Sequence, residues 1–72
     1  MHAASAVRET IKSLISSEIS NKPLSDDKLA RILNKDGMNV ARRTVAKYRD
    51  MLKIPSSSQR RREARLQNFA SG

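Results

Sequence analysis

Four basic side chains occur close together in the middle of the sequence, at Arg42, Arg43, Lys47 and Arg49. Arginine can donate two hydrogen bonds to the O6 and N7 edge of guanine, and both arginine and lysine bind phosphate oxygens. The small residue Ala46 lies among them and permits close approach of the backbone to a ligand. If these residues share one helix, that helix suits the major groove of DNA, which is wide enough to admit it.

A helix from about residue 42 to residue 52 would position these side chains. Val45, Tyr48 and Leu52 recur at steps of three and four residues and predict the buried side of this helix. On a helical wheel Arg43 points away from that buried side, and Lys47 lies close to Arg43. We therefore expect Arg43 to reach deepest into the groove.

The candidate DNA contacts are assigned from these positions. We expect Arg43 and Arg42 to bind guanine edges, and Lys47 to bind a base or a phosphate. Arg49 flanks the outward surface and Thr44 borders it, so both are expected at phosphates. The full set of candidate DNA-binding residues is Arg42, Arg43, Thr44, Ala46, Lys47, Arg49, Lys53, Arg60 and Arg61.

An amphipathic helix is predicted earlier in the chain, over residues 6–19. Its apolar residues recur with the period of one helix face. They are Val7, Ile11, Leu14, Ile15 and Ile19.

A second helix is predicted over residues 26–35, where the side chain of Ser25 can cap the first free N–H groups. Gly37 suits the left-handed conformation that often follows a helix, and Val40 in the connector is expected to enter the core. The buried stripe of this helix is expected to consist of Leu29, Ile32 and Leu33.

Composition narrows the function classes. The chain has 72 residues, a formal net charge of +8 and no cysteine. Residues 41–72 hold nine basic and two acidic residues, so nearly all the excess charge lies there. No apolar run approaches the roughly 20 residues that cross a bilayer. These features favour a small binding module over an enzyme, and we expect no cofactor, no metal site and a cytoplasmic location.

The predicted architecture is all-α. We expect a three-helix bundle with helix-turn-helix geometry, similar to a homeodomain, over residues 5–55. Residues 1–4 are expected to be disordered, and residues 56–72 to form a flexible basic tail.

The expected tail lacks a clear apolar face. A short helix over residues 61–69 is compatible with its composition, but only Leu66 and Phe69 could anchor it. The arginines at 60–62 are expected to bind phosphates without reading the base sequence.

A family resemblance adds to this interpretation. Residues 41–49 read ARRTVAKYR. At all nine positions this resembles the RpoN box, the signature of the sigma-54 class of bacterial transcription initiation factors. The flanking segments KPLSD at 22–26 and IPSS at 54–57 also resemble the C-terminal DNA-binding domain of that class. The resemblance covers roughly residues 5–62.

The resemblance implies a function for the chain. It implies that the chain is the C-terminal part of a longer sigma factor, and that the box helix enters the major groove of the GG-containing minus-24 promoter element. The rest of the factor would bind RNA polymerase. Members of the class commonly end soon after the SSxQR segment, whereas this chain continues to Gly72.

Two alternatives remain open at this point. A winged-helix repressor domain uses a similar long turn, but it requires a β-hairpin after the third helix, and no alternating strand pattern is found there. A basic bundle that binds an acidic protein or RNA would show no preference for one DNA sequence. For the DNA-binding domain itself, we expect the isolated domain to be monomeric.

Overall fold

The computed structural model describes residues 4–19 and 22–71, and residues 1–3 of the expected disordered N-terminus lie outside the described residues. The described chain forms four helices: α1 (Ala4–Ser16), α2 (Asp26–Lys35), α3 (Arg42–Met51) and α4 (Ser57–Ser71). The predicted all-α class is confirmed. Within the described residues, no helix is both long and apolar enough to cross a membrane.

Helix α2 begins and ends as the sequence predicts. The Oγ of Ser25 accepts a hydrogen bond from the backbone N–H of Lys28 at 3.1 Å. At the other end Gly37 has a φ of +89°, in the left-handed region. The N–H of Gly37 donates to the carbonyl of Asn34 at 3.0 Å, and that of Met38 donates to the carbonyl of Leu33 at 2.8 Å. These two bonds form a Schellman motif, which directs the chain out of α2 toward α3.

The connector between α2 and α3 is long, and Asn34 holds it in place. The Nδ2 of Asn34 donates to the carbonyl of Ala30 at 2.6 Å and to that of Val40 at 2.8 Å. The second bond fixes Val40, which is 9% exposed and packs into the core as predicted. The start of α3 is therefore tied to the end of α2 through a side-chain bond as well as through the chain.

The hydrophobic core lies where α1, α2 and α3 meet. Ile11, Leu29, Leu33 and Val45 are fully buried. Around them pack a further three buried residues and six partly buried ones: Val7, Ala30, Val40, Leu14, Ile15, Leu24, Met38, Tyr48 and Leu52.

Two residues of the predicted apolar faces lie outside this core. Ile32 is only half-buried and is not part of the cluster. Ile19 is 65% exposed, because α1 ends at Ser16, three residues before its predicted end. The Oγ of Ser17 bonds to the carbonyls of Ser13 and Leu14, at 3.2 and 3.1 Å. Such side-chain bonds compete with the helical pattern and satisfy carbonyls at its end.

The segment after α3 differs from our expectation of a structureless tail. Residues 57–71 form helix α4, longer than the short helix that its composition allowed. Because this helix occupies the position where a winged-helix domain would have a β-hairpin, the structure does not match that alternative. The expected flexibility of residues 56–72 stays a prediction, and Gly72 lies outside the described residues.

Candidate nucleic-acid interface

The exposed side of α3 carries three cationic side chains. Arg42, Arg43 and Lys47 are exposed, whereas Val45 on the other side of the helix is fully buried. Ala46 is half-buried between the cations and leaves the helix backbone accessible. This arrangement follows the wheel prediction for these five residues.

An open groove of about 370 Å³ runs beside the first turns of α3. It lies where the N-terminal ends of α2, α3 and α4 come together. Helix α2 contributes two acidic groups to the lining, its capping residue Ser25 contributes a hydroxyl, and α3 contributes two arginines. The lining residues are Ser25, Asp26, Asp27, Arg42, Arg43, Ala46 and Ser57.

Arg49 occupies a different environment from the one we expected. It is 7% exposed and therefore not available to a phosphate on the outer surface. Its Nε and Nη2 donate to the two carboxylate oxygens of Asp26, at 2.8 and 3.1 Å. Its Nη1 donates to the carbonyl of Ile54 at 2.9 Å and lies 3.4 Å from a carboxylate oxygen of Asp50.

The Arg49–Asp26 pair is a structural cross-link between α3 and α2. The hydrogen bonding that Arg49 donates to Asp26 is the main cause of the raised pKa of Arg49, assisted by the charges of Asp26 and Asp50 and opposed by burial. Arg49 therefore stays fully charged inside the fold. The wheel placed Arg49 at the edge of the outward surface, but it did not show that the first turn of α2 lies against that edge.

Arg60 is likewise part of the fold and not of a free tail. Its side chain is 10% exposed and that of Glu18 is 8% exposed. Nε and Nη2 of Arg60 donate to Glu18 at 2.7 and 3.2 Å, while Nη1 donates to the carbonyl of Pro55 at 2.6 Å. Nη2 also donates to the carbonyl of Leu24 at 2.7 Å. We therefore remove Arg49 and Arg60 from the proposed DNA contacts.

The two arginines together fix the α3–α4 connector, which sequence reasoning did not anticipate. Arg49 binds the carbonyl of Ile54, and Arg60 binds that of the next residue, Pro55. Glu18 completes this arrangement, because its Oε2 also accepts from the N–H of Leu24 at 2.7 Å. A buried ion pair joining residues 42 positions apart has no local sequence pattern that would reveal it.

The remaining candidates lie at the ends of this framework. Thr44 is half-buried, and Lys53 and Arg61 are exposed. Lys53 has a φ of 59°, an uncommon conformation for a residue other than glycine. Helix α3 ends with the same Schellman motif as α2. The N–H of Lys53 donates to the backbone carbonyl of Asp50, and the N–H of Ile54 donates to that of Arg49, both at 3.0 Å.

Helix α1 supports α3 from behind. Ile11 of α1 is fully buried in the core, and the guanidinium carbon of Arg8 lies 6.0 Å from the centre of the Tyr48 ring. This distance is the outer limit of a cation–π contact. In the described part of the chain, no group of three His, Cys, Asp or Glu side chains is placed to hold a metal ion.

Comparison with known proteins places the chain in a family. The family described as "Sigma-54, DNA binding domain" matches residues 1–62. An RNA polymerase sigma-54 factor of Azorhizobium caulinodans is 61% identical over 62 residues, which cover 86% of this chain and 12% of that protein. One of Sinorhizobium fredii is 51% identical over 71 residues, which cover 99% of this chain and 14% of that protein.

A third relative gives the same result. An RNA polymerase sigma-54 factor of Escherichia coli is 52% identical over 59 residues, which cover 82% of this chain and 12% of that protein. The chain thus spans 12–14% of the length of these relatives. The family match covers most of the chain and includes residues 41–49. The chain therefore belongs to the sigma-54 DNA-binding domain family.

Proposed function

We propose that this chain binds duplex promoter DNA in a sequence-specific way, with α3 in the major groove of a GG-containing element of the minus-24 type. The observation that carries the proposal is the exposed side of α3, where Arg42, Arg43 and Lys47 surround the small Ala46. Arg43 and Arg42 bind the O6 and N7 edges of the guanines, since a guanidinium matches that pair of acceptors.

The absence of ion-pair partners for these side chains in the described part of the chain supports the proposal. Within the described residues, Arg42, Arg43 and Lys47 make no ion pair, so their charges are free to meet a polyanion. Lys47 binds a base or a phosphate, and Thr44 and Lys53 bind phosphates at the two ends of α3. The buried Arg49–Asp26 pair takes no part in these contacts and holds α3 at a fixed angle to α2.

The role of the whole factor follows from the family. Relatives of the chain are named RNA polymerase sigma-54 factors, and the chain matches a small part of each. In our proposal this domain positions a longer factor on promoter DNA, while other parts of that factor bind the RNA polymerase core in the cytoplasm. The domain itself contributes binding and no catalysis, and it acts as a monomer.

A binding titration tests the proposal directly. The chain is titrated with a duplex that carries the GG element and with the same duplex after both guanines are replaced. We expect tighter binding to the first duplex by 10-fold or more, because each good bidentate arginine contact contributes about 1–3 kcal/mol of discrimination. Equal affinity for both duplexes would favour the sequence-independent basic bundle.

A further inference from the structure

One side of α4 is a continuous basic surface that the proposed function does not use. It consists of Arg61, Arg62 and Arg65, which we call the α4 basic face. All three residues are exposed. They are rotated by about 100–200° around the helix axis from Arg60, because successive residues of a helix are about 100° apart.

The charges on the α4 basic face are unbalanced. Within the described residues, the side chains of Arg61, Arg62 and Arg65 make no ion pair or hydrogen bond. The acidic residue nearest in sequence, Glu63, points to another side, where Gln59 Nε2 lies 3.4 Å from its Oε1. Like charges four residues apart on a helix repel each other, and a bound polyanion relieves that repulsion.

The fold holds the first turn of α4 in place. Arg60 anchors α4 through Glu18 and through the carbonyls of Leu24 and Pro55. The start of α4 lies beside the start of α3, since Ser57 lines the same groove as Arg42 and Arg43. A helix of 15 residues is about 22 Å long, so the α4 basic face adds cationic groups beyond those of α3.

We propose that the α4 basic face is a second DNA-binding surface, which holds the sugar–phosphate backbone of the same duplex outside the element read by α3. The inference rests on the proposed function for the identity of the duplex. The ligand is phosphate, because three guanidinium groups along one side of a helix match a row of phosphate oxygens and carry no base specificity. Arg60 acts as a positioning residue that keeps the three arginines on the exposed side.

The test compares two variants of the chain that lose the same number of positive charges. The first changes Arg61, Arg62 and Arg65 to Gln. The control changes three exposed lysines that lie outside α3 and α4 to Gln, namely Lys12, Lys22 and Lys35. Affinity for a duplex that extends beyond the GG element on both sides is measured as a function of salt concentration, with helix content measured by circular dichroism.

We expect the α4 variant to lower the magnitude of the salt slope by up to about 0.9 for each lost phosphate contact. Its affinity should fall equally on the GG duplex and on the duplex with replaced guanines, and it should recover when Lys replaces Arg at the three positions. The lysine control should keep most of the parent slope. Equal slopes for the α4 variant and the parent would overturn the inference.

A third variant tests whether the helix itself matters. Ala64→Pro keeps every charge but breaks α4 between Arg61 and Arg65. We expect a smaller salt slope, because Arg65 no longer aligns with the other two. Parent-like binding by this variant would show that a flexible arm is sufficient, and it would overturn the helical surface. If the parent fails to discriminate between the two duplexes while the α4 variant still loses affinity, the proposed function fails and the second surface stands.

Discussion

Arg60 binds both carboxylate oxygens of Glu18, at 2.7 and 3.2 Å, across 42 residues of sequence. Each partner is at least nine-tenths buried. Every nitrogen of the Arg60 guanidinium has an acceptor, because the carbonyls of Pro55 and Leu24 take its remaining hydrogen bonds. This single side chain therefore joins the segment after α1, the loop before α2, the α3–α4 connector and α4.

The first prediction contrasts Arg60 with its neighbour Arg61. Arg60→Met leaves the buried Glu18 carboxylate without its cation and should reduce the free energy of unfolding by about 2–4 kcal/mol. Arg61→Met removes an exposed side chain and should change it by less than about 0.5 kcal/mol. Urea unfolding of the two variants measures both values. Similar losses in the two variants would contradict the anchoring role of Arg60.

The second prediction compares two adjacent acidic residues at the start of α2. Asp26→Asn removes the partner of the buried Arg49 and should cost about 2–3 kcal/mol. Asp27→Asn affects an exposed pair with Arg31, at 3.3 Å, and should cost about 0.5 kcal/mol or less. Both residues lie in the first turn of α2, so their interactions with the helix dipole are similar and largely cancel in the comparison.

Thermal unfolding at matched ionic strength provides this measurement. Raising the salt concentration should shrink the small Asp27 effect further, since exposed pairs are screened. The Asp26 effect should persist. An Asp26→Asn variant as stable as Asp27→Asn would mean that Arg49 does not need its partner, and Arg49 would return to the list of candidate phosphate contacts.

The third prediction concerns base recognition. Arg43→Ala should weaken binding to the GG duplex by about 1–3 kcal/mol and binding to the duplex with replaced guanines by much less. Lys53→Ala serves as a phosphate control and should weaken both equally. Isothermal titration or fluorescence anisotropy at one fixed salt concentration measures the four affinities. Equal losses for Arg43→Ala on the two duplexes would reduce Arg43 to a phosphate contact.

The sequence predicted the parts of the fold that depend on local chemistry. The Ser25 cap, the left-handed Gly37 and the entry of Val40 into the core were all predicted, and α2 has its predicted bounds. Helix α3 begins at Arg42 as predicted and ends one residue early. Each of these features is determined by a few neighbouring residues and by the helical period.

The features that the sequence did not predict depend on contacts between distant segments. The wheel gives the direction of Arg49 but not the position of Asp26 across the helix interface. Helix α4 has few apolar residues, so its pattern indicated a tail, whereas the Glu18–Arg60 pair supplies the anchor. Charged residues with long side chains are difficult to assign for this reason, because the same arginine can pair internally or face solvent.

The fourth prediction tests the position of the core. Leu33 is fully buried where the three helices meet, so Leu33→Ala should reduce the free energy of unfolding by about 2–5 kcal/mol. Its neighbour Ile32 is half-buried and outside the core cluster, so Ile32→Ala should cost about 1 kcal/mol. Chemical unfolding monitored by circular dichroism measures the free energies of unfolding of the two variants. A larger loss for Ile32→Ala would mean that the core lies on another face of α2.

The last prediction concerns the order of α4 in the free domain. Beyond Arg60 the helix offers little apolar surface to the core, and Leu66 is 62% exposed. Fixing each backbone residue costs about 1–2 kcal/mol, and a short helix without packing is marginal in water. We therefore expect residues 63–71 to be mobile and their amide hydrogens to exchange rapidly, while the amides near the Arg60 anchor exchange more slowly.

Hydrogen exchange on the free chain and on its complex with the GG duplex measures this difference. Protection in the free chain should decrease from Arg60 toward Gln67. It should increase over residues 61–67 in the complex, because phosphates that bind the α4 basic face stabilise its helical conformation. The Arg61, Arg62 and Arg65 to Gln variant should lose this increase but keep the protection of α3. Uniform protection of α4 in the free chain, equal to that of α2, would show that helix packing and not the duplex orders the segment.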